Sequence, residues 1–371
     1  MWRLRYIIGA VLVVVVLYII ARRLRRTRIT EQSNYEKARR EKMRPEDNYN
    51  TIFVAIPCYR DEHACAETLF SIFNEASCPW RLRVAVMHHM QPADEQYGLD
   101  ILSLYEHVVL RHSATSFQSQ INMVIRPASE ASGPWEARRF LLRSAFQNER
   151  FVLLVNGNTQ FVRNWDALCL DQYAWMLRLN PRPILTTYPA LVDPEQPLEA
   201  LPTYPVGTAS KIAAAVYTRA PVRPFPAFVM SPALAFASSR WVTDLPDTLA
   251  LPNVSNQQGL MVASAHMYTH GWDFFTPTVP LVYRTAKGPA SPWHDERQLT
   301  RVTGLLNQQQ CRICEEDQAA HDEFTGHPFE SWPQERIFGT VRFLYEYVDF
   351  AKRTSTGSAS AEEQVAKSTP L

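Results

Sequence analysis

The chain has 371 residues, 46% of them hydrophobic, with Lys+Arg 38 against Asp+Glu 37 and a net charge of +1. That length and apolar content can bury a full core and favour one large or two ordinary domains, which excludes a small disulfide-stapled scaffold. The near-neutral balance carries no global field toward nucleic acid, and no nucleic-acid partner is expected, although the basic residues are unevenly spread.

Residues Tyr6 to Ala21, YIIGAVLVVVVLYIIA, carry no charge and are dominated by Val, Ile and Leu. As a helix the stretch spans about 24 Å, adequate for a thin bilayer with flanking arginines snorkelling. A cleaved signal peptide is the main alternative. No small-x-small site comes after it, and Arg22, Arg23, Arg25, Arg26 and Arg28 stand directly behind, which favours an uncleaved signal anchor over residues 1–26. The arginine count taken literally would keep the carboxyl side in the cytoplasm. Residues 27–50 are charged and nearly free of apolar periodicity, as expected of a stalk, with a short exposed helix as an equal reading. A globular domain then runs from residue 51 to about 350, and residues 351–371 have the composition of a disordered tail. Six cysteines, at 58, 65, 78, 169, 311 and 314, fix no disulfide framework. Cys311 and Cys314 make one CxxC without a second pair or a histidine at ligand spacing, so a local disulfide or two plain thiols outweigh zinc.

The domain opens with a continuous apolar run closed by Pro57 (TIFVAIPCYRDE), followed by a helix over Ala64 to Ala76 with Leu69, Ile72 and Phe73 at helical spacing, and a strand over Leu82 to Met87. Strand, loop, helix, strand is the opening of a parallel α/β sheet. Ile121 to Arg126 reads as another strand. Glu130 to Arg138, EASGPWEAR, leads into a helix in which Pro134 suits the first turn and Gly133 permits close backbone approach.

The stretch Phe151 to Asp166, FVLLVNGNTQFVRNWD, is the centre of the pattern. Five apolar residues end at Asn156-Gly157-Asn158, which reads as a buried parallel strand with a polar tip at its carboxyl end, the edge where open α/β sheets bind ligands. Such a tip can present short side chains to a phosphate or a metal. The stretch also reads as a plain tight turn, because Asn and Gly tolerate positive φ and Asn side chains bond their own backbone. Further on come a helix over Ala167 to Leu179, a strand over Pro183 to Tyr188, a proline-rich insertion from Asp193 to Pro226, a strand candidate at Pro232 to Ala237 and a helix over Leu260 to His270. Asn253-Val-Ser255 is a glycosylation sequon, usable only with lumenal exposure.

Six separated segments resemble one family in its order: IFVAIPCYRDE (52–62), EASGPWEAR (130–138), FVLLVNGNTQFVRNWD (151–166), LTTYPA (185–190), THGWDFFTP (269–277) and FTGHPF (324–329). The family is that of the Golgi and cytoplasmic N-acetylglucosaminyltransferases that attach α-linked GlcNAc to a polypeptide hydroxyl, found in kinetoplastids and social amoebae among others. The resemblance implies an α/β GT-A fold: a Rossmann-like sheet that grips a nucleotide sugar, here UDP-GlcNAc, with an Asp-x-Asp or Asp-x-His tip holding a divalent metal, manganese, on the diphosphate. It also implies a single-pass type II Golgi membrane protein with the domain in the lumen, acting on a glycoprotein or glycan acceptor. That topology is preferred to the literal arginine count, because juxtamembrane charge sets orientation only statistically.

The chain departs from the family pattern at the tip, where Asn156 and Asn158 replace the acid and the Asp or His, and neutral amides are poor manganese ligands. The family's Gly-Glu-Glu falls near Gln257-Gln258-Gly259, and a family histidine falls at Tyr283. His294 or Asp273 would be the compensating ligands. Candidate donor-binding residues are Pro57, Tyr59, Arg60, Asp61, Gly133, Arg138, Asn156 and Asn158, with Asn156 and Asn158 also at the metal-motif positions. Arg138 and Arg163 are the candidates to neutralise the leaving group in a metal's place. His270 and Asp273, flanking a glycine in an aromatic-rich turn, are the candidates for acceptor orientation or proton transfer. Trp165-Asp166 reads as structural. Two functions stay open: hexosaminyl transfer, or a catalytically silent relative that binds a glycan or a partner transferase.

Overall fold

The computed structural model describes residues 49–90, 100–189, 203–208, 211–216, 221–227, 229–231, 233–244 and 256–285. The candidate anchor, nearly all of the stalk, the tail, the sequon, His294, the FTGHPF segment and the Cys311–Cys314 pair lie outside them. The chain divides into two units, Met1–Tyr49 and Asn50–Leu371, and the strands and helices of the fold belong to the second. No helix among the described residues is long and apolar enough to cross a membrane.

An eight-stranded mixed sheet carries the fold. In chain order the elements are β1 (Ile52–Tyr59), α1 (Glu62–Asn74), β2 (Leu82–Met90), α2 (Ile101–Arg111), β3 (Ile121–Pro127), α3 (Pro134–Ser144), β4 (Phe151–Val155), β5 (Thr159–Phe161), α4 (Trp165–Met176), β6 (Pro183–Thr186), β7 (Thr203–Thr208), β8 (Lys211–Val216), β9 (Phe225–Ala227), β10 (Leu234–Ser238), α5 (Arg240–Asp244), α6 (Asn256–Thr269), β11 (Asp273–Thr276) and β12 (Val282–Arg284). The sheet order is β3-β2-β1-β4-β10-β6-β11-β9, with β12 paired to β5 and β7 to β8 as separate ribbons. Strand β1 is parallel to β2 and β4, and β2 is parallel to β3. Strand β10 runs antiparallel between β4 and β6, and β9 runs antiparallel beside β11. Since β6 and β11 are parallel to each other, they point the same way as β1 to β4. The carboxyl ends of six strands therefore share one edge. The expected all-parallel opening is present, and the antiparallel insertions make the complete sheet mixed.

The continuous apolar runs form central strands because helices cover them: every residue of β4 is buried, and β1 is buried from Ile52 to Ile56. Edge strand β3 is only half-buried. Helix α2, absent from the sequence reading, is capped by Asp100, whose carboxylate accepts from Leu102 N and Ser103 N at 3.4 and 3.2 Å. It buries Ile101, Tyr105, Val108 and Val109. At the centre of the sheet Phe151 stacks on Phe236 at 5.2 Å, with Tyr173 edge-on to both. The turn of α3 into the site uses Gly133 at φ 113, a conformation open to glycine alone, with Pro134 in the first turn behind it.

Candidate functional site

The tip comes directly after β4 and is held from behind by α1. Thr68 Oγ1 donates to the Gly157 carbonyl at 2.8 Å and accepts from Thr159 N at 2.9 Å. One turn on, Ser71 Oγ accepts from Phe161 N at 2.7 Å, and the Trp165 indole donates to Ile72 O at 3.0 Å. None of Asn156, Gly157 and Asn158 has positive φ. Gly157 and Asn158 do form a turn, as the tight-turn reading expects, but without the left-handed backbone it invoked. Asp166 is structural as expected: its carboxylate accepts from Ser77 N, Ser77 Oγ and Cys78 N at 2.6 to 3.0 Å, with Arg81 at 3.4 Å.

Behind the tip lies a buried cation. Arg138 on α3 is fully buried; its Nη2 donates to Asn156 Oδ1 at 2.6 Å and to Val155 O at 3.3 Å, and its Nη1 to Pro134 O at 3.4 Å. Burial pushes the guanidinium pKa well below its ordinary value, to about 9, which leaves it charged at neutral pH. Arg138 was expected to face a diphosphate. Because it is enclosed, it acts on the tip through Asn156 instead. Only the amide oxygen can accept from a guanidinium, so the side chain is oriented with Oδ1 inward and turns its Nδ2 donor elsewhere.

A divalent ion fits this arrangement poorly. Hard cations need acceptor oxygens, and the Asn156 oxygen is already taken by a cation. An ion bound to that oxygen would sit roughly 5 Å from the Arg138 charge, a repulsion of roughly 7 kcal/mol at an effective dielectric near 20. The main chain at Asn158 is fixed by Thr285, whose N and Oγ1 donate to the Asn158 backbone carbonyl at 3.1 and 3.3 Å. At the family's histidine position, Tyr283 is a buried phenol whose pKa is raised by burial.

The same edge gathers most of the expected donor residues. Pro57, Tyr59, Arg60 and Asp61 end β1 next to β4, and a Cβ at Gly157 would lie 3.5 Å from Pro57 O. Arg60 is exposed and holds φ 56, a left-handed backbone rare for arginine. Burial, together with the neighbouring Glu62 charge, raises the Asp61 carboxyl. The sequence reading missed a dyad beside them: the His88 Nε2 of β2 lies 2.9 Å from Glu62 Oε1, in a buried pair. Burial opposes ionisation of Glu62, but the bond from His88 prevails and its pKa is lowered. The adjacent His89 is lowered to about 4, first by burial and then by Arg126 and His88, so it is neutral near pH 7.

The candidate catalytic pair lies elsewhere. Asp273 begins β11 opposite Pro183, the first residue of β6, so His270 and Asp273 stand at the amino-terminal edge of the sheet. A strand of four or five residues at about 3.3 Å each separates that edge from the tip, roughly 15 Å against the ~3 Å that proton transfer needs. There the motif makes a corner. His270 Nδ1 meets His266 O at 2.8 Å, and Asp273 accepts from the Asn180 side chain. Arg182 donates to His270 O at 2.7 Å and to Asp244 at 3.3 Å, and Asp244 also accepts from the Trp272 indole at 3.0 Å. At this distance Asp273 cannot compensate as a ligand at the tip. Arg163 is exposed, and Asn164 N beside it bonds Glu75 O at the far end of α1, so it too is away from the tip.

A second residue absent from the sequence reading is Arg284. Antiparallel pairing of β12 with β5 sets it opposite Thr159, one residue from Asn158. Nothing local marks it in LVYRT; its meaning comes from the register.

The family model for Glycosyltransferase (GlcNAc) matches residues 51–101 and 102–355. Among solved structures, GalNAc-T7 with UDP, GalNAc and Mn2+ superposes with a TM-score of 0.51 at 11% identity, covering 83% of this chain and 58% of that one. The S. aureus TarS 1-349 complex with UDP-GlcNAc gives 0.45 at 13% identity over 84% of this chain and 92% of that one. The Pyrobaculum calidifontis mannosyltransferase PcManGT with GDP-Man and Mn2+ gives 0.42 at 14% identity over 89% and 79%. At these identities the likeness concerns the fold alone, and of the three scores only the first is high enough to carry it. The chain thus spans 58% of the GalNAc-T7 chain it matches. No curated protein matches it in sequence. With the family model matching well over half its length, this chain belongs to the Glycosyltransferase (GlcNAc) family.

Proposed function

We propose that the protein transfers a hexosamine, GlcNAc from UDP-GlcNAc, to a hydroxyl of a glycoprotein or surface glycan, and that it does so as a type II protein of the Golgi membrane. The observation that carries the reading is the polar tip at the carboxyl edge, held from behind by Thr68 and next to Tyr59, Arg60 and Asp61, in a chain of this family. A leaving nucleoside diphosphate develops negative charge, and a tip whose Asn156 amide is oriented by a buried guanidinium is electrostatically suited to it. Tyr6 to Ala21, without a charge, supports the anchor.

The replacement of acids by Asn156 and Asn158 favours a second reading, a silent relative that binds a glycan or a partner transferase. Detergent-solubilised full-length protein, incubated with labelled UDP-sugars, discriminates the two. Release of UDP or transfer of GlcNAc is expected, and binding of donor without turnover under any condition would leave the silent reading. Protease protection of a carboxyl-terminal tag in sealed vesicles tests the topology: a tag digested without detergent would restore the orientation the arginines suggest.

A further inference from the structure

We propose that Arg284 is the cation that receives the diphosphate, so that this chain holds a nucleoside diphosphate at the tip without a divalent metal. The inference rests on the donor-binding reading and adds to it a residue and a mode of charge neutralisation. Three observations carry it.

First, the tip is backed by a cation and carries no carboxylate. The Asn156 side-chain oxygen, the acceptor at the first metal-motif position, is fixed inward on Arg138 at 2.6 Å, and Thr285 N ties down the Asn158 main-chain carbonyl at 3.1 Å. Second, Arg284 is delivered to the tip by main-chain pairing: it lies opposite Thr159, and the next residue, Thr285, is bonded to Asn158. An arginine side chain readily crosses a one-residue step. Third, Arg284 is half-buried, its Nε is buried, and among the described residues neither a hydrogen bond nor an ion pair holds its guanidinium. A sunken, unengaged guanidinium is costly unless something anionic meets it, and its fork matches phosphate oxygens bidentately. The two arginines divide the work. Arg138, enclosed, positions the amide, and Arg284, partly open, meets the ligand.

The test is calorimetric titration of the detergent-solubilised full chain with UDP, in EDTA and then with added manganese. The wild type is expected to bind UDP with a Kd that EDTA changes by less than threefold. Arg284→Gln is expected to weaken UDP at least tenfold, and Arg284→Lys, which keeps the charge without the fork, to fall between. Melting curves of each variant check folding, and the chelator comparison needs no variant. UDP binding that drops tenfold or more in EDTA and returns with manganese overturns this inference while leaving the glycosyltransferase reading intact. Undiminished UDP binding by folded Arg284→Gln does the same. No UDP binding by the wild type in either condition overturns both.

Discussion

Replacing Arg138 by methionine separates what this arginine does for the fold from what it does for the tip. Burial lowers its pKa from the ordinary arginine range to about 9, and at about 1.4 kcal/mol per unit the enclosed charge costs on the order of 5 kcal/mol. Met removes that cost and keeps most of the apolar stem. It also strands Val155 O and Asn156 Oδ1, each about 1–3 kcal/mol when left unsatisfied. The opposing terms are of similar size and cancel to within about 3 kcal/mol, so Arg138→Met is expected to melt within several degrees of the wild type. Arg138→Ala, which adds a cavity, should melt several degrees lower still. UDP affinity is expected to fall at least tenfold in both, because nothing then holds the Asn156 oxygen inward. Thermal melting and UDP titration on the same samples give the two readouts. A loss above about 4 kcal/mol in Arg138→Met would make the arginine a structural residue, and wild-type UDP affinity in that variant would show that the amide's orientation does not matter.

Two further outcomes concern stability. His89 is lowered to about 4 by burial first, so between pH 6.5 and 4 the unfolded chain binds the proton that the folded one refuses. Its contribution is present above pH 6.5 and lost as pH falls toward 4; melting temperatures at pH 7 and pH 5 should therefore differ less in His89→Asn than in the wild type, and an equal difference would refute the assignment. A Cβ at Gly259 would lie 2.9 Å from both Cβ and Cγ of Trp135, where α6 crosses α3. Gly259→Ala is expected to cost about 1–3 kcal/mol through overpacking, read by urea unfolding, and no loss would mean that the indole shifts freely.

The parts legible in the sequence were those with a local cause. Phe151 to Val155 announced a buried strand by continuity, and Asn156-Gly157-Asn158 marked its end, both as found. Strand β10 was located near its place, but ALAFAS reads the same in either direction, so its antiparallel insertion between β4 and β6 had no signature. His270 and Asp273 resembled a catalytic pair because local sequence names the residues of a turn without saying which end of the sheet it serves. Arg138 reads from the sequence as a ligand contact, and the structure instead encloses it behind a neighbouring strand. Arg284 gains its place by pairing with a strand more than a hundred residues earlier, a relation that spacing cannot express. Helix α2 was an omission: Asp100 and the helical spacing of Ile101, Tyr105 and Val108 were there to be read.

The buried guanidinium also changes what restoring an acid would mean. From the sequence alone, Asn156→Asp returns the chain to the family's metal-binding pattern. In the structure the new carboxylate would stand 2.6 Å from the Arg138 Nη2 and form an enclosed ion pair, stronger than the present bond because both partners are charged. Its negative charge would be spent on Arg138 rather than on an incoming dication. Asn156→Asp, with or without Asn158→Asp, is therefore expected to leave UDP binding indifferent to manganese. The same acids combined with Arg138→Met, which frees the carboxylate and removes the repelling charge, are expected to bind UDP at least tenfold better with manganese than with EDTA, about 1.4 kcal/mol. Manganese dependence appearing in Asn156→Asp with Arg138 still present would show that the arginine yields its partner easily, and the account of the tip as a site oriented from behind would fail.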